Sequence, residues 1–151
     1  MKGQWIFKVT VNVAPPVLVG RDAKNGRRQL IPIVSGTVAG DGFDGEVMPG
    51  GVDSQVIRPN GVCELSARYG IRLSNGSTIY VQNDGIRTVP DEYVETVLNG
   101  EFVDPSLYYF CTTPKVEVFG GPMEWMEKKI LYCEAKRNPD SVEIDFFSLE
   151  S

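Results

Sequence analysis

A chain of 151 residues with 20 acidic and 15 basic side chains carries a formal net charge of −5, a balance that favours solubility and argues against general affinity for nucleic acid or an anionic membrane surface. Its length is that of one domain, residues 1–151, able to bury about two thirds of its unfolded surface, so that neither a disulfide staple nor a metal is required for stability. The chain has no histidine, which removes the commonest general base, the Ser-His and Cys-His nucleophile pairs and every His-based metal site.

Cys63, Cys111 and Cys133 are odd in number and widely spaced. Without CxxC spacing they argue against zinc, and they fit reduced thiols in a cytoplasmic protein better than a disulfide framework. No cofactor is indicated, so any acid–base chemistry falls to carboxylates, tyrosines, lysines or cysteines. The N-terminus, MKGQWIFKVTV, lacks a long apolar segment and a small-residue cleavage site and reads as a strand, and no apolar run approaches the length of a membrane span.

In chain order, Trp5 to Val13 alternates, with Trp5, Phe7, Val9, Val11 and Val13 on one side and Lys8, Thr10 and Asn12 on the other. This predicts a half-buried strand ended by Ala14-Pro15-Pro16. The polar stretch Gly20 to Gln29 reads as an exposed loop, and Leu30 to Ala39 as a strand in which Pro32 marks an edge or a bulge. Gly40, Gly42 and Gly45 match GxGxxG literally, but a dinucleotide site needs a helix to open directly after the glycines. Here Glu46-Val47-Met48-Pro49-Gly50-Gly51 follows, and a tight turn between strands is the better reading. Asp41, Asp44 and Glu46 miss the spacing of a calcium loop.

Gly50 to Arg87 holds two long alternating runs joined at Asn75-Gly76, the strongest short-range hairpin signal because both residues tolerate the positive φ of a type I′ turn. A two-residue loop would pair Ile71 with Tyr80, Arg68 with Asn83 and Glu64 with Arg87. One face would then be apolar and aromatic, with Tyr69 and Tyr80 as packing or subunit-contact residues, and the other charged. Asn75-Gly76-Ser77 also fits a glycosylation acceptor, but without a secretory signal the turn explains it. Thr88 to Glu92 predicts a helix start, Tyr93, Val94, Val97 and Leu98 its apolar stripe and Asn99-Gly100 its stop. Leu107 to Phe119 is a strand, Gly120-Gly121-Pro122 opens a brief helical turn, and Ile130 to Ala135 and Val142 to Leu149 are final strands joined by the turn-rich Arg137 to Ser141.

The expected fold is therefore all-β: a single-domain antiparallel β-barrel of about eight to ten strands with one or two short helices, its last strand closing against the first to hide the sheet edges. The runs RRQLIPIVSGTVAG, GEVMPGGVDSQVIRPNGVCELSARYGIRLSNGSTIYVQNDGIR, YYFCTTPKVEV and MEWMEKKILYCEAKRNPDSVEIDFF resemble, in order and over nearly the whole chain, the domain of unknown function 3237 family, also known as uncharacterised protein family 0311. The resemblance implies an antiparallel β-barrel and no assigned activity. Its matching positions include Asp53, Gln55, Arg68, Tyr69, Gly85 and Arg87.

If the polar side of the hairpin faces inward, Glu64, Arg68, Asn83 and Arg87 line a chamber that Asp53 and Gln55 join from the preceding strand and Tyr109, Thr112 and Thr113 from a later one. The opposite orientation makes these an ordinary solvated strand face, with Glu64 and Arg87 a cross-strand ion pair of little weight. Three functional classes stay open. The barrel binds a small organic ligand, carbonyl-bearing or anionic, held by the arginines and Asn83; or it is an acid–base enzyme of lyase or isomerase type, with Asp53 or Glu64 moving the proton and Arg68 or Arg87 stabilising an enolate-like charge; or it is a non-catalytic subunit of a homo-oligomer. An inward carboxylate with a raised pKa beside an inward arginine would support the enzyme, a pocket lined only by neutral groups the binder, and a filled interior the assembly subunit.

Overall fold

The computed structural model describes all 151 residues, Met1–Ser151. Ten strands follow one another as β1 (Lys2–Val13), β2 (Val17–Asp22), β3 (Gly26–Gly40), β4 (Asp44–Val47), β5 (Gly51–Ile57), β6 (Val62–Leu73), β7 (Thr78–Thr88), β8 (Tyr109–Phe119), β9 (Leu131–Arg137) and β10 (Ser141–Glu150). A short helix, α1 (Val94–Leu98), separates β7 from β8, and a 3-10 segment, Pro122–Lys128, separates β8 from β9.

Neighbouring strands pair antiparallel throughout. Strand β1 meets β10 along one edge and β3 along the other, which closes the sheet into a barrel. Strands β4 and β5 are two pieces of one stave: both lie between β3 and β6, interrupted at Met48–Gly50. The barrel thus has eight staves, and β2 lies outside it as an extra strand on β3. All six residues of β2 are exposed, including Val17, Leu18 and Val19.

Two expectations are corrected, and the alternatives for Pro32 are resolved. The stretch read as a loop over Gly20 to Gln29 is a β2–β3 hairpin. Its turn is held by Asp22, whose Oδ1 accepts from the backbone N–H of Lys24 at 2.9 Å and of Asn25 at 2.6 Å, and Gly26 takes a φ of 85°. Pro32 lies inside the barrel wall, opposite Val52, beside a register shift between Ile33 and Ser35; it is next to a bulge and not on an edge. The second correction decides the site. The β6–β7 loop is a three-residue loop, Ser74-Asn75-Gly76. Leu73 N–H donates to the Ser77 carbonyl at 2.9 Å, and Gly76 has a φ of 97°. This is a type I turn closed by a left-handed glycine, and it needs one residue more than a type I′ turn. The register accordingly moves by one: Ile71 faces Ile79, Arg68 faces Gln82, and Glu64 faces Ile86. A one-residue slip turns every side chain of one strand to the other face relative to its neighbour. The GxGxxG match is the tight β3–β4 turn that its context indicated, with Gly40 N–H bonded to the Phe43 carbonyl.

Alternation puts Phe7, Val9, Val11, Ile71, Ile79, Val81, Ile144 and Phe146 into the interior. They fill one end of the barrel, where Phe7 packs on Phe146 with ring centres 4.9 Å apart and Phe43 meets Phe7 edge-on. Met123 and Met126 of the 3-10 segment plug that end. A smaller cluster of Ile57, Cys63, Val89, Val97, Leu98 and Val103 lies at the opposite end, where α1 leans over the rim. The space between the two clusters is the part of the molecule that apolar side chains do not fill.

Candidate functional site

The inward stripe of several staves changes from apolar to polar on the way to the rim. It runs Ile79, Val81, Asn83 and Arg87 on β7, Leu131, Cys133 and Arg137 on β9, and Ile33, Ile31 and Gln29 on β3. The direct pairings Gln29–Gln55, Asp53–Ala67, Ala67–Asn83 and Gly85–Thr112 bring these residues to common levels inside the barrel. An upper chamber of about 220 Å³ opens under the rim, lined among others by Gln29, Gln55, Arg87, Phe102, Tyr108 and Arg137. Below it lies a recess of about 30 Å³ bounded by Asp53, Tyr69, Asn83 and Thr112 among apolar neighbours.

A directional chain of hydrogen bonds leads to Asp53. Arg27 Nε donates to Gln29 Oε1 at 2.6 Å, Gln29 Nε2 donates to Gln55 Oε1 at 2.8 Å, and Gln55 Nε2 donates to Asp53 Oδ2 at 2.8 Å. One carboxylate oxygen is thereby fixed, while the other, Oδ1, is buried without a partner. Burial pushes the Asp53 carboxyl up from 3.8 to about 6, against the Gln55 hydrogen bond and the positive charges of Arg87 and Arg137, which hold it down. A carboxylate of that strength with one free lone-pair face has the properties of a general base near neutral pH.

Arg87 and Arg137 take part in none of the chain's ion pairs. The Arg87 guanidinium stands 5.6 Å from the Tyr108 ring centre and 5.9 Å from that of Phe110, and its Nε is buried without a partner. Burial first, and the neighbouring charge of Arg87 second, make Arg137 less basic than usual. The Tyr108 hydroxyl accepts from the Arg137 backbone N–H at 2.8 Å and donates to the Arg137 carbonyl at 3.3 Å, tying the start of β8 to the end of β9. Tyr69 is buried, which drives its phenol well above the usual range. The buried polar side-chain atoms without partners are Asp53 Oδ1, Tyr69 OH, Asn83 Oδ1, Arg87 Nε and Thr112 Oγ1. All five belong to residues lining the chamber or the recess. An orphaned buried polar group costs about 1–3 kcal/mol, so a cluster of five in one space is a concentrated cost to folding.

The structure divides the residues singled out from the sequence. Asp53, Gln55, Asn83, Arg87 and Thr112 face inward and lie together. Glu64, Arg68, Tyr109 and Thr113 face outward. Glu64 pairs with Arg58 at 2.6 Å on the outer face of β6, beside a shallow groove that also holds Arg28, Ser54, Asp84 and Thr113. The shifted register is the reason for Glu64 and Arg68. For Tyr109 and Thr113 it is alternation, since each is one residue from an inward position of β8. Tyr69, assigned from the sequence to a packing face, is inside, and Tyr80 is outside. Gln29 and Arg137 were missed because both lay in stretches read as loops. A regular period-2 pattern extended through Gly26–Gln29 and through Lys136–Arg137 would have found them. Cys63 and Cys133 are also interior, but burial pushes their thiols up to about 11 and about 12, so neither supplies a thiolate near neutrality. No set of three or more carboxylates and thiols converges as a metal site.

The fold and the chamber define a closed antiparallel β-barrel, plugged at one end, with a polar cavity inside the other. The chain belongs to the family described as Protein of unknown function (DUF3237), whose model matches residues 1–149. A UPF0311 protein of Clostridium acetobutylicum is 52% identical over 149 residues, covering 99% of this chain and 94% of that one. A crystal structure of a protein of unknown function from the same organism superposes with a TM-score of 0.94 at 51% identity, over 99% of this chain and 97% of the other. A β-barrel-like protein of Acinetobacter baumannii gives a TM-score of 0.83 at 28% identity, over 99% and 96%. An enzyme from Penicillium herquei gives 0.73 at 15% identity, over 99% and 94%, and shares the fold. No helix of the chain is long and apolar enough to cross a membrane.

Proposed function

We propose that the barrel interior binds a small organic molecule with a carbonyl or anionic group, held under the rim by Arg87 and Arg137 and contacted more deeply by Asp53, Tyr69, Asn83 and Thr112. The convergence of every unpartnered buried polar side-chain atom on this one space carries the reading. Isolated orphans arise anywhere in a protein, whereas a cluster of donors and acceptors around a cavity is what a ligand's polar groups would satisfy. Glu64, Arg68, Tyr109 and Thr113 have no part in it. The three free cysteines support a reducing, cytoplasmic setting.

A second reading has its own support: an acid–base enzyme of lyase or isomerase type. Asp53 has one oxygen fixed by Gln55 and one free, it is tuned to about 6, and it lies within the electrostatic reach of Arg87. Asp53 would take a proton from the carbon next to a carbonyl, Arg87 would stabilise the resulting enolate oxygen, and the same carboxyl would return the proton at another carbon or assist loss of a leaving group. The Penicillium herquei enzyme supports only the point that this fold can serve an enzyme.

Native mass spectrometry of freshly purified protein tests the binding reading. A co-purifying small molecule should be retained by the wild type and by Arg68→Ala, and lost from Arg87→Gln. A ligand that survives Arg87→Gln and leaves with Arg68→Ala would move the site to the outer face. For the enzyme reading, that molecule incubated in D2O should take up deuterium with wild-type protein and not with Asp53→Asn, although both bind it. Equal exchange would remove Asp53 as the base.

A further inference from the structure

Resting on the binding reading, we infer the chemical class of the ligand: a compact carboxylic acid with a hydroxyl or keto oxygen at the far end of an apolar body. Its carboxylate lies between Arg87 and Arg137, and its far oxygen enters the recess at Tyr69 and Asn83.

Three observations carry this. The first is a pair of guanidinium groups on one chamber with no carboxylate within ion-pair distance of either, in a chain with five more acidic than basic side chains. Glu101 and Asp140 also border the chamber but are exposed, and Asp53 and Asp140 act on the guanidinium groups only from beyond ion-pair distance. The Arg87 guanidinium lies against Tyr108 and Phe110, 5.6 and 5.9 Å from their ring centres, and its buried Nε has no partner. A planar fork of N–H donors fits a planar carboxylate, and two forks oppose one another until an anion lies between them.

The second observation is the apolar share of the chamber lining. Ile31 and Ile57 of β3 and β5, with Val97, Phe102 and Val103 beside the rim, offer no hydrogen bond, so the body of the ligand is apolar. The third is the size and lining of the recess. About 30 Å³ admits a single polar atom, and around it Tyr69 OH, Asn83 Oδ1, Thr112 Oγ1 and Asp53 Oδ1 make no hydrogen bond of good geometry, with Asn83 beside Tyr69, Cys133 beside Thr112 and the Ser66 backbone beside Asp53 as their nearest polar neighbours. Hydroxyls there can donate to a keto oxygen, and the amide and carboxylate oxygens can accept from a ligand hydroxyl. A second charge would find no guanidinium at that depth, since the recess is bordered by no basic side chain. The acid therefore lies under the rim and the neutral oxygen lies deep.

Isothermal titration of the full chain with 4-hydroxybenzoate, benzoate, 4-hydroxybenzamide and inorganic phosphate tests the assignment. The hydroxy acid should bind roughly tenfold or more tightly than the amide. Arg137→Gln and Arg87→Gln should each erase that difference, and Tyr69→Phe should erase the advantage of 4-hydroxybenzoate over benzoate. Circular dichroism melting of each variant establishes that it is folded. Amide binding as tight as acid binding would overturn the carboxylate assignment and leave the chamber as a site for neutral carbonyl compounds. Phosphate binding as tight as that of the hydroxy acid would reduce the feature to a simple anion site and overturn the class. Failure of all four to bind folded wild-type protein would overturn both the class and the binding reading beneath it.

Discussion

Asp53 shows how a single side chain departs from its usual behaviour. Its carboxyl titrates near 6 in the folded protein, against an ordinary 3.8. Between those values the native state holds a proton that the unfolded state has released, so stability is fully present below about pH 4 and falls as pH rises to about 6. By neutral pH the loss is on the order of 3 kcal/mol. Asp53→Asn, which keeps an acceptor for Gln55, should therefore raise the urea midpoint at pH 7.5 and flatten the pH dependence between 4 and 6; a midpoint that falls, or an unchanged slope with pH, would show that the carboxylate is not strained in this way. Tyr69→Phe removes a buried hydroxyl that has no partner, and such a deletion should leave stability within about 1 kcal/mol of wild type. A large loss in thermal denaturation would mean that the hydroxyl has a structural partner and is not held ready for a ligand.

The β6–β7 hairpin is the element on which the site depends, because its turn decides which side chains enter the barrel. Gly76 at a φ of 97° has open space around its missing Cβ, whereas Gly121 at 72° would set a Cβ 2.5 Å from the backbone nitrogen of Ser77. Gly76→Ala should accordingly cost only the left-handed strain of about 1 kcal/mol, and Gly121→Ala markedly more, because backbone must shift where the 3-10 segment docks against the start of β7. Chemical denaturation of the two variants compares them, and equal losses would contradict the packing described for Gly121. The same hairpin shows what sequence could and could not reveal. Its two runs, its turn and its alternation were all legible in the letters. Its register was not, because Asn75-Gly76 serves a two-residue type I′ loop and a three-residue loop with a left-handed glycine equally well. That single ambiguity set Glu64 and Arg68 on the same face of the ribbon as Asn83 and Arg87 and put Tyr69 on the other; in the structure Tyr69 shares the interior with Asn83 and Arg87, and Glu64 and Arg68 are outside.

Across the whole molecule, barrel closure creates the site, and which residues closure brings face to face is what a local reading misses. The all-β class, the antiparallel barrel and the meeting of the last strand with the first follow from alternation and turn residues, which act over a few positions. Local alternation gives the inward side of Gln29 and Arg137, but they meet at one cavity because β9 and β3 curve round to face β7 across the interior, which no short stretch of sequence encodes. The two ends of the barrel then differ in kind. One is filled by Phe7, Phe146, Met123 and Met126, and the other keeps Asp53, Asn83, Arg87 and Arg137 around unfilled space. Stability would be better served by an apolar interior throughout, so the polar end is where folding gives way to function.

The most direct measurement is NMR mapping of the side-chain nitrogens of 15N-labelled protein during titration with a mixture of small aromatic acids, ketones and phenols. With an interior site, shifts concentrate on the side-chain amides of Gln29, Gln55 and Asn83 and on the Nε groups of Arg87 and Arg137. Shifts confined to Arg28 and Arg58 along the outer groove, with the interior amides unmoved, would contradict an interior site.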